Sequence, residues 1–230
     1  MSTEEYAFGQ MTKEERVSVF IESRPVLLSD ALRELEQKAL ADGVPIIRPG
    51  TQSLLQFFAA LLSPKRILEV GTAVGFSALV MEEVLPEGSR ITTIERDEDR
   101  FLQAEENFRA FGKTSDRIEL LKGDAAEILP RLPGTYDMIF MDAAKGQYVH
   151  FLPEIKRLLP EGGILISDNI LEGGELLMSK YAVTRRNRTI HKRMREYLDA
   201  LTGDPELRTL LLETGDGTAL SVKRAISGIL

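Results

Sequence analysis

Apolar residues along this chain follow two different rhythms. Up to about residue 62 they recur at helical spacing. Thr12-Lys13-Glu14-Glu15 has the form of a capping box, and Ser29 followed by Ala31, Leu32, Leu35, Ala39 and Leu40 reads as an amphipathic helix behind its N-cap. From Arg66 the pattern changes to short β-rich runs, at 67–70, 91–95, 118–121, 136–141 and 163–167, separated by helical stretches. Those runs are apolar nearly throughout, as in Met138-Ile139-Phe140-Met141, because strands covered by helices on both faces have no polar side. The alternation predicts a parallel sheet with crossover helices. A long helix from Arg188 to about residue 201 then leads to two last strands, at 207–213 and 218–222. Gly215-Asp216-Gly217 joins them, and its Asp-Gly pair predicts an antiparallel hairpin. The expected architecture is a doubly wound, mostly parallel, seven-stranded α/β sheet. Helices over 1–62 precede a core over 63–230, and no linker, repeat or low-complexity tract divides the two.

Composition narrows the chemistry. With 230 residues, 43% hydrophobic and 28% charged, the chain is long enough to bury one sizeable core. It contains no Cys, which excludes disulfides, thiolate zinc sites and cysteine nucleophiles. Glu4 and Glu5 stand where a signal peptide is basic, and no apolar run approaches the roughly 20 residues that cross a bilayer, so a cytoplasmic protein without a membrane span is expected. A net charge of −7 argues against indiscriminate binding to nucleic acid or anionic lipid. One segment departs from that average. Between Lys180 and Arg195 there are seven Lys or Arg residues and no acid.

The first predicted strand runs into Glu69-Val70-Gly71-Thr72-Ala73-Val74-Gly75-Phe76-Ser77, a strand, a glycine turn and a helix start. This is where an open α/β sheet binds nucleotides. A dinucleotide fingerprint needs G-x-G-x-x-G, but Ala73 fills the place of the middle glycine, so a cofactor without a pyrophosphate fits better. S-adenosyl-L-methionine is such a cofactor. Gly71 makes the turn, and helix-start amides with the Ser77 hydroxyl suit a carboxylate. Glu95 ends the second strand, where an acid accepts from both ribose hydroxyls, and Gly123-Asp124-Ala125 ends the third, beside the adenine position. An NAD-dependent oxidoreductase remains the rival at this point.

The fourth strand delivers Asp142, followed by Ala143-Ala144-Lys145-Gly146-Gln147-Tyr148, and the fifth delivers Asp168-Asn169. Two carboxylates and a carboxamide are hard oxygen ligands suited to Mg²⁺, Mn²⁺ or Ca²⁺. A cation there lowers the pKa of a substrate hydroxyl, and Lys145 is placed to take the proton. The competing interpretation makes Asp142 and Asp168 ordinary helix caps and Lys145 a solvated lysine.

Taken together, LEVGTAVGFSAL, TTIERDEDR, KGDAAEILP, YDMIFMDAAKGQY and LISDNIL resemble the metal-dependent O-methyltransferase family that contains catechol and caffeoyl-coenzyme A methyltransferases, over roughly residues 46–222. That resemblance implies a class I methyltransferase fold, with Asp142, Asp168 and Asn169 as metal ligands and Lys145 as general base. It also implies cofactor contacts from Ser77, Glu95, Asp124, Ala125 and Asp142, and an apolar one ahead of the first strand that falls at Ile47. By the same analogy the protein is a homodimer, with Val17, Phe20, Ile21, Leu27 and Leu28 available for the interface.

For the acceptor, KGQY, RRNRTIHKRMREYL and GDGTALSVK resemble the bacterial branch that methylates 5-hydroxyuridine at the tRNA wobble position. The implied partner is the anticodon region of tRNA, contacted by Arg185, Arg186, Arg188, Lys192 and Arg193. The chemistry is compatible, because O5 and O4 of 5-hydroxyuridine chelate a cation as a catechol pair does. A small catechol-like or caffeoyl-type diol is the alternative acceptor.

Overall fold

The structure is a computed structural model and describes residues 12–24, 26–179 and 182–224. Among the described residues three helices come first: α1 (Lys13–Glu22), α2 (Asp30–Ala41) and α3 (Pro49–Leu62). The Ser29 hydroxyl accepts the Leu32 amide at 3.4 Å and caps α2 as its sequence predicts. Helix α3 begins instead on Pro49, with no side-chain cap at Arg48. Then β1 (Arg66–Val70), α4 (Phe76–Glu82), β2 (Arg90–Glu95), α5 (Glu98–Ala110), β3 (Ile118–Lys122) and the short α6 (Ala125–Ile128) follow in alternation. The second half contains β4 (Met138–Met141), α7 (Tyr148–Leu158), β5 (Ile164–Ser167), α8 (Arg188–Gly203), β6 (Leu207–Leu212) and β7 (Thr218–Lys223).

These strands form one seven-stranded sheet in the order β3-β2-β1-β4-β5-β7-β6. The five strands β3 to β5 are parallel, and the β6–β7 hairpin joins β5 antiparallel through β7. The expected architecture is therefore observed, with small shifts at the hairpin. There the strands end at Leu212 and resume at Thr218, and Gly215 and Gly217, at φ +62° and +84°, take the left-handed turn positions. Successive residues of the central strands alternate between two cores. Ile67, Met138, Phe140, Ile164 and Ile166 face the N-terminal helices and α4. Leu68, Val70, Ile139, Met141 and Leu165 face α7 and α8. Each fully buried Leu, Ile or Phe contributes about 1.5–3 kcal/mol relative to exposure, which is why these strands carry almost no polar residue.

Strand order decides where a site can form. The order in which strands are added to the sheet reverses between β1 and β4, so the loops leaving their carboxyl ends diverge and open a crevice. The register pairs Val70 with Met141 and Met141 with Ser167. The residues one step beyond β4 and β5, Asp142 and Asp168, therefore emerge side by side.

Candidate active site

A cavity of about 650 Å³ fills the crevice at these strand ends. Ile47, Gly71, Ser77, Glu95, Asp124, Ala125, Asp142, Asp168 and Asn169 all line it. Lys145 is not among the lining residues. It sits half-buried on a 3-10 turn (Lys145–Gln147) just past Asp142, and its charge favours the ionised form of that carboxylate.

Each wall has a local cause. Gly71 has φ +102°, and a Cβ there would lie 2.0 Å from the Asp142 carbonyl oxygen, so β1 and β4 can leave the sheet this close only with glycine between them. Glu95 is held from both sides: the Ala73 amide donates to Oε2 at 2.8 Å and the Asp97 amide to Oε1 at 2.8 Å. Asp124 caps α6 by accepting the Ala126 amide at 2.8 Å. Ser77 lines the cavity as expected, and its hydroxyl donates to Glu69 Oε1 at 2.5 Å. Glu69 stands two residues before the Gly71 turn, in the same strand-turn-helix segment. It is fully buried, accepts Thr93 at 2.5 Å as well, and burial pushes its carboxyl up to about 8.

Asp142 and Asp168 do not cap helices. The 3-10 turn at Lys145 and helix α7 start without any side-chain cap. Asp168 is 2% exposed, and its Oδ1 accepts Thr218 at 3.1 Å and Thr51 at 3.3 Å. Thr218 is there because β7 runs antiparallel to β5 with Ala219 opposite Ser167, and Thr51 because α3 crosses the strand ends. Burial and the neighbouring Asp142 charge raise Asp168 to about 6. Asp142 is raised by burial, against the opposing effects of Asn169 and Lys145. Asn169 donates from Nδ2 to Asp142 Oδ1 at 3.1 Å and has φ +58°, a left-handed conformation for which Asn is among the best-suited side chains. At the rim, Arg48 and Asp216 pair at 3.0 Å and join the start of α3 to the hairpin turn.

The donors fit a hard divalent cation: two adjacent carboxylates whose ionisation is resisted by burial and, at Asp168, by the Asp142 charge, with a carboxamide beside them. Among the described residues no cluster of three or more His, Asp or Glu offers a competing metal site.

The basic segment divides. Arg185, Arg186, Arg188 and Lys192 are exposed, whereas Arg193 turns inward and donates to the Gly146 carbonyl at 3.0 Å, beside Lys145. Lys180 lies outside the described residues. Helix α8 thus has an outer basic side and an inner side of His191, Met194, Tyr197 and Leu201.

A nucleotide-type α/β sheet with paired carboxylates at its switch point defines a class of cofactor-dependent enzymes. Within it, residues 22–224 match the family model described as O-methyltransferase, and the chain belongs to that family. It is 34% identical to a catechol O-methyltransferase from Niastella koreensis over 64% of this chain and 69% of that one. It is 30% identical to tapetum-specific methyltransferase 1 of Arabidopsis thaliana, over 77% and 76%. Among solved structures, an SAH-bound methyltransferase of Podospora anserina superposes with a TM-score of 0.80 at 28% identity, covering 98% of both chains. The dehydrogenase alternative falls with this family assignment.

Proposed function

We propose that this protein transfers the methyl group of S-adenosyl-L-methionine to O5 of 5-hydroxyuridine at the wobble position of tRNA, with a divalent cation, Mg²⁺ by preference. The observation that carries the reading is the meeting of two acids and an amide in the wall of one cavity, beside a turn that is bonded to a helix with an exposed basic side. The SAH-bound relative supports the donor.

S-adenosyl-L-methionine supplies an electrophilic methyl on a sulfonium. In the proposed complex Glu95, its oxygens already oriented by two backbone amides, accepts from the ribose hydroxyls. Asp124 and Ala125 flank the adenine, and Ile47 covers the cofactor from the helical side. Asp142, Asp168 and Asn169 would hold the cation, which would supply Lewis acidity for ionising the acceptor hydroxyl. Lys145 Nζ, as the neutral amine, would receive the proton from that hydroxyl as general base. Low-dielectric walls such as Ile47, Val74 and Phe76 exclude water from the transfer. Arg185, Arg186, Arg188 and Lys192 hold flanking phosphates, and Arg193 supports the Lys145 turn from the same helix.

A small catechol-like diol is the second reading, favoured by the Niastella koreensis relative. Methylation of hypomodified tRNA with purified protein, with and without EDTA, tests acceptor and metal together. Incorporation into 5-methoxyuridine that EDTA abolishes is expected. Methylation of a catechol but not of tRNA would overturn the acceptor. For the homodimer, the exposed Val17, Phe20, Ile21 and Leu27 are the proposed contacts with a second copy, and light scattering should give twice 25.7 kDa. Leu28 is buried in the chain's own core and drops out of that set.

A further inference from the structure

The last ladder bond between β4 and β5 runs from the Asp168 amide to the Met141 carbonyl at 3.0 Å. Beyond it the two chains separate, and the separation of Asp142 from Asp168 needs another support. Tyr148, wholly buried at the start of α7, sits at that point. Its O–H is directed at two carbonyls, Met141 at 3.0 Å and Asp168 at 3.2 Å, while its oxygen accepts the Ala143 amide at 3.3 Å. One phenol oxygen therefore touches the residue before Asp142, the residue after it, and Asp168 itself.

We propose that Tyr148 is a positioning residue that sets the spacing of the two carboxylates for their cation. Three further observations support it. Tyr148 stacks edge-on against Tyr197 of α8 at 5.3 Å and 78°, so its ring cannot drift. Tyr197 in turn shares a 2.6 Å hydrogen bond with Ser167, the residue before Asp168. Both tyrosines are fully buried and neither lines the cavity, which leaves them without a role in contacting substrate or cofactor. The two acids repel one another, so backbone bonds that keep them together oppose a force the site itself generates. Groups behind metal ligands commonly change metal affinity about 10–100-fold when removed.

This inference rests on the metal reading above, and Tyr148→Phe tests it separately. The variant keeps the ring and removes only the hydroxyl. Mn²⁺ affinity of the full chain is measured by electron paramagnetic resonance of the free ion, and S-adenosylhomocysteine affinity by calorimetry. The wild type should bind Mn²⁺ and Asp168→Ala should not. Tyr148→Phe should weaken Mn²⁺ binding at least tenfold, with S-adenosylhomocysteine affinity within about twofold of wild type. A Tyr148→Phe variant that binds Mn²⁺ as tightly as wild type would overturn the positioning role while leaving the metal reading intact. A wild type that binds no Mn²⁺ would overturn both. If Tyr148→Phe also loses S-adenosylhomocysteine binding, Tyr197→Phe takes its place, since it keeps the stacking and removes the bond to Ser167. A several-fold loss of Mn²⁺ affinity there supports the role, and no change overturns it.

Discussion

Replacing Glu69 by Gln should change how the stability of this protein depends on pH. Glu69 is fully buried on β1, and its carboxyl is pushed from 4.5 to about 8 by loss of hydration. The folded state therefore retains a proton that the unfolded state releases above about pH 4.5. The contribution of this group to stability is intact below that pH, falls by about 1.4 kcal/mol per pH unit above it, and levels off past pH 8. Between pH 6 and pH 8 the wild type should lose about 2 kcal/mol that Glu69→Gln does not lose. Gln resembles the protonated acid in shape, and of the Ser77 and Thr93 hydroxyls one can accept from its amide NH2 while the other donates to its carbonyl oxygen. Urea unfolding of both proteins at the two pH values provides the test, because titrations of other groups cancel in the double difference. Parallel losses would refute the view that Glu69 is held neutral by its surroundings.

Metal affinity should fall up to tenfold per pH unit below about 6, where Asp168 takes up a proton that competes with the cation, and should flatten above; Mn²⁺ titrations from pH 5 to pH 8 check this. Gly71→Ala should cost roughly 3 kcal/mol or more, since its Cβ would meet the Asp142 carbonyl. Gly88→Ala should cost only about 1 kcal/mol, since Gly88 has a similar positive φ but open space around it, and thermal unfolding compares the two. Reversing charge at Arg185 and Arg186 should weaken tRNA binding and make the slope of log affinity against log salt about 0.7–0.9 shallower for each phosphate that is no longer neutralised. Methylation of free 5-hydroxyuridine should be unaffected by that change, and an unchanged salt slope would remove this surface from the RNA interface.

The sheet is legible in the sequence because burial on both faces leaves its strands no polar alternative, and 138–141 reads the same in sequence and in space. Asp142 and Asp168 stand out as candidates because each follows an apolar run with nothing to neutralise it. Their adjacency depends on strand order and register, which pattern alone suggests but does not specify. Helix α3 does not stand out as an element, because buried Thr51 and Gln52 interrupt its apolar stripe and no cap announces its start. Glu69 carries a readable signal, an acid inside an apolar strand, but its partners Ser77 and Thr93 meet it only through packing. Tyr148 and Tyr197 look like ordinary core aromatics, and their hydroxyl partners are carbonyls and a serine that no motif marks. Arg193 counts in sequence as one more basic residue, and only its helical phase turns it inward.

The contacts of Thr51 and Arg48 make the N-terminal helices part of the catalytic body. A fragment beginning at residue 63 would retain all seven strands yet lack one of the hydroxyls on Asp168, the side chain of Ile47 and the clasp to Asp216. Shuffling this family at the start of β1 would thus yield chimeras in which Asp168 and Asp216 face another parent's residues in place of Thr51 and Arg48. A crossover upstream of Leu40 would carry the whole enclosure intact.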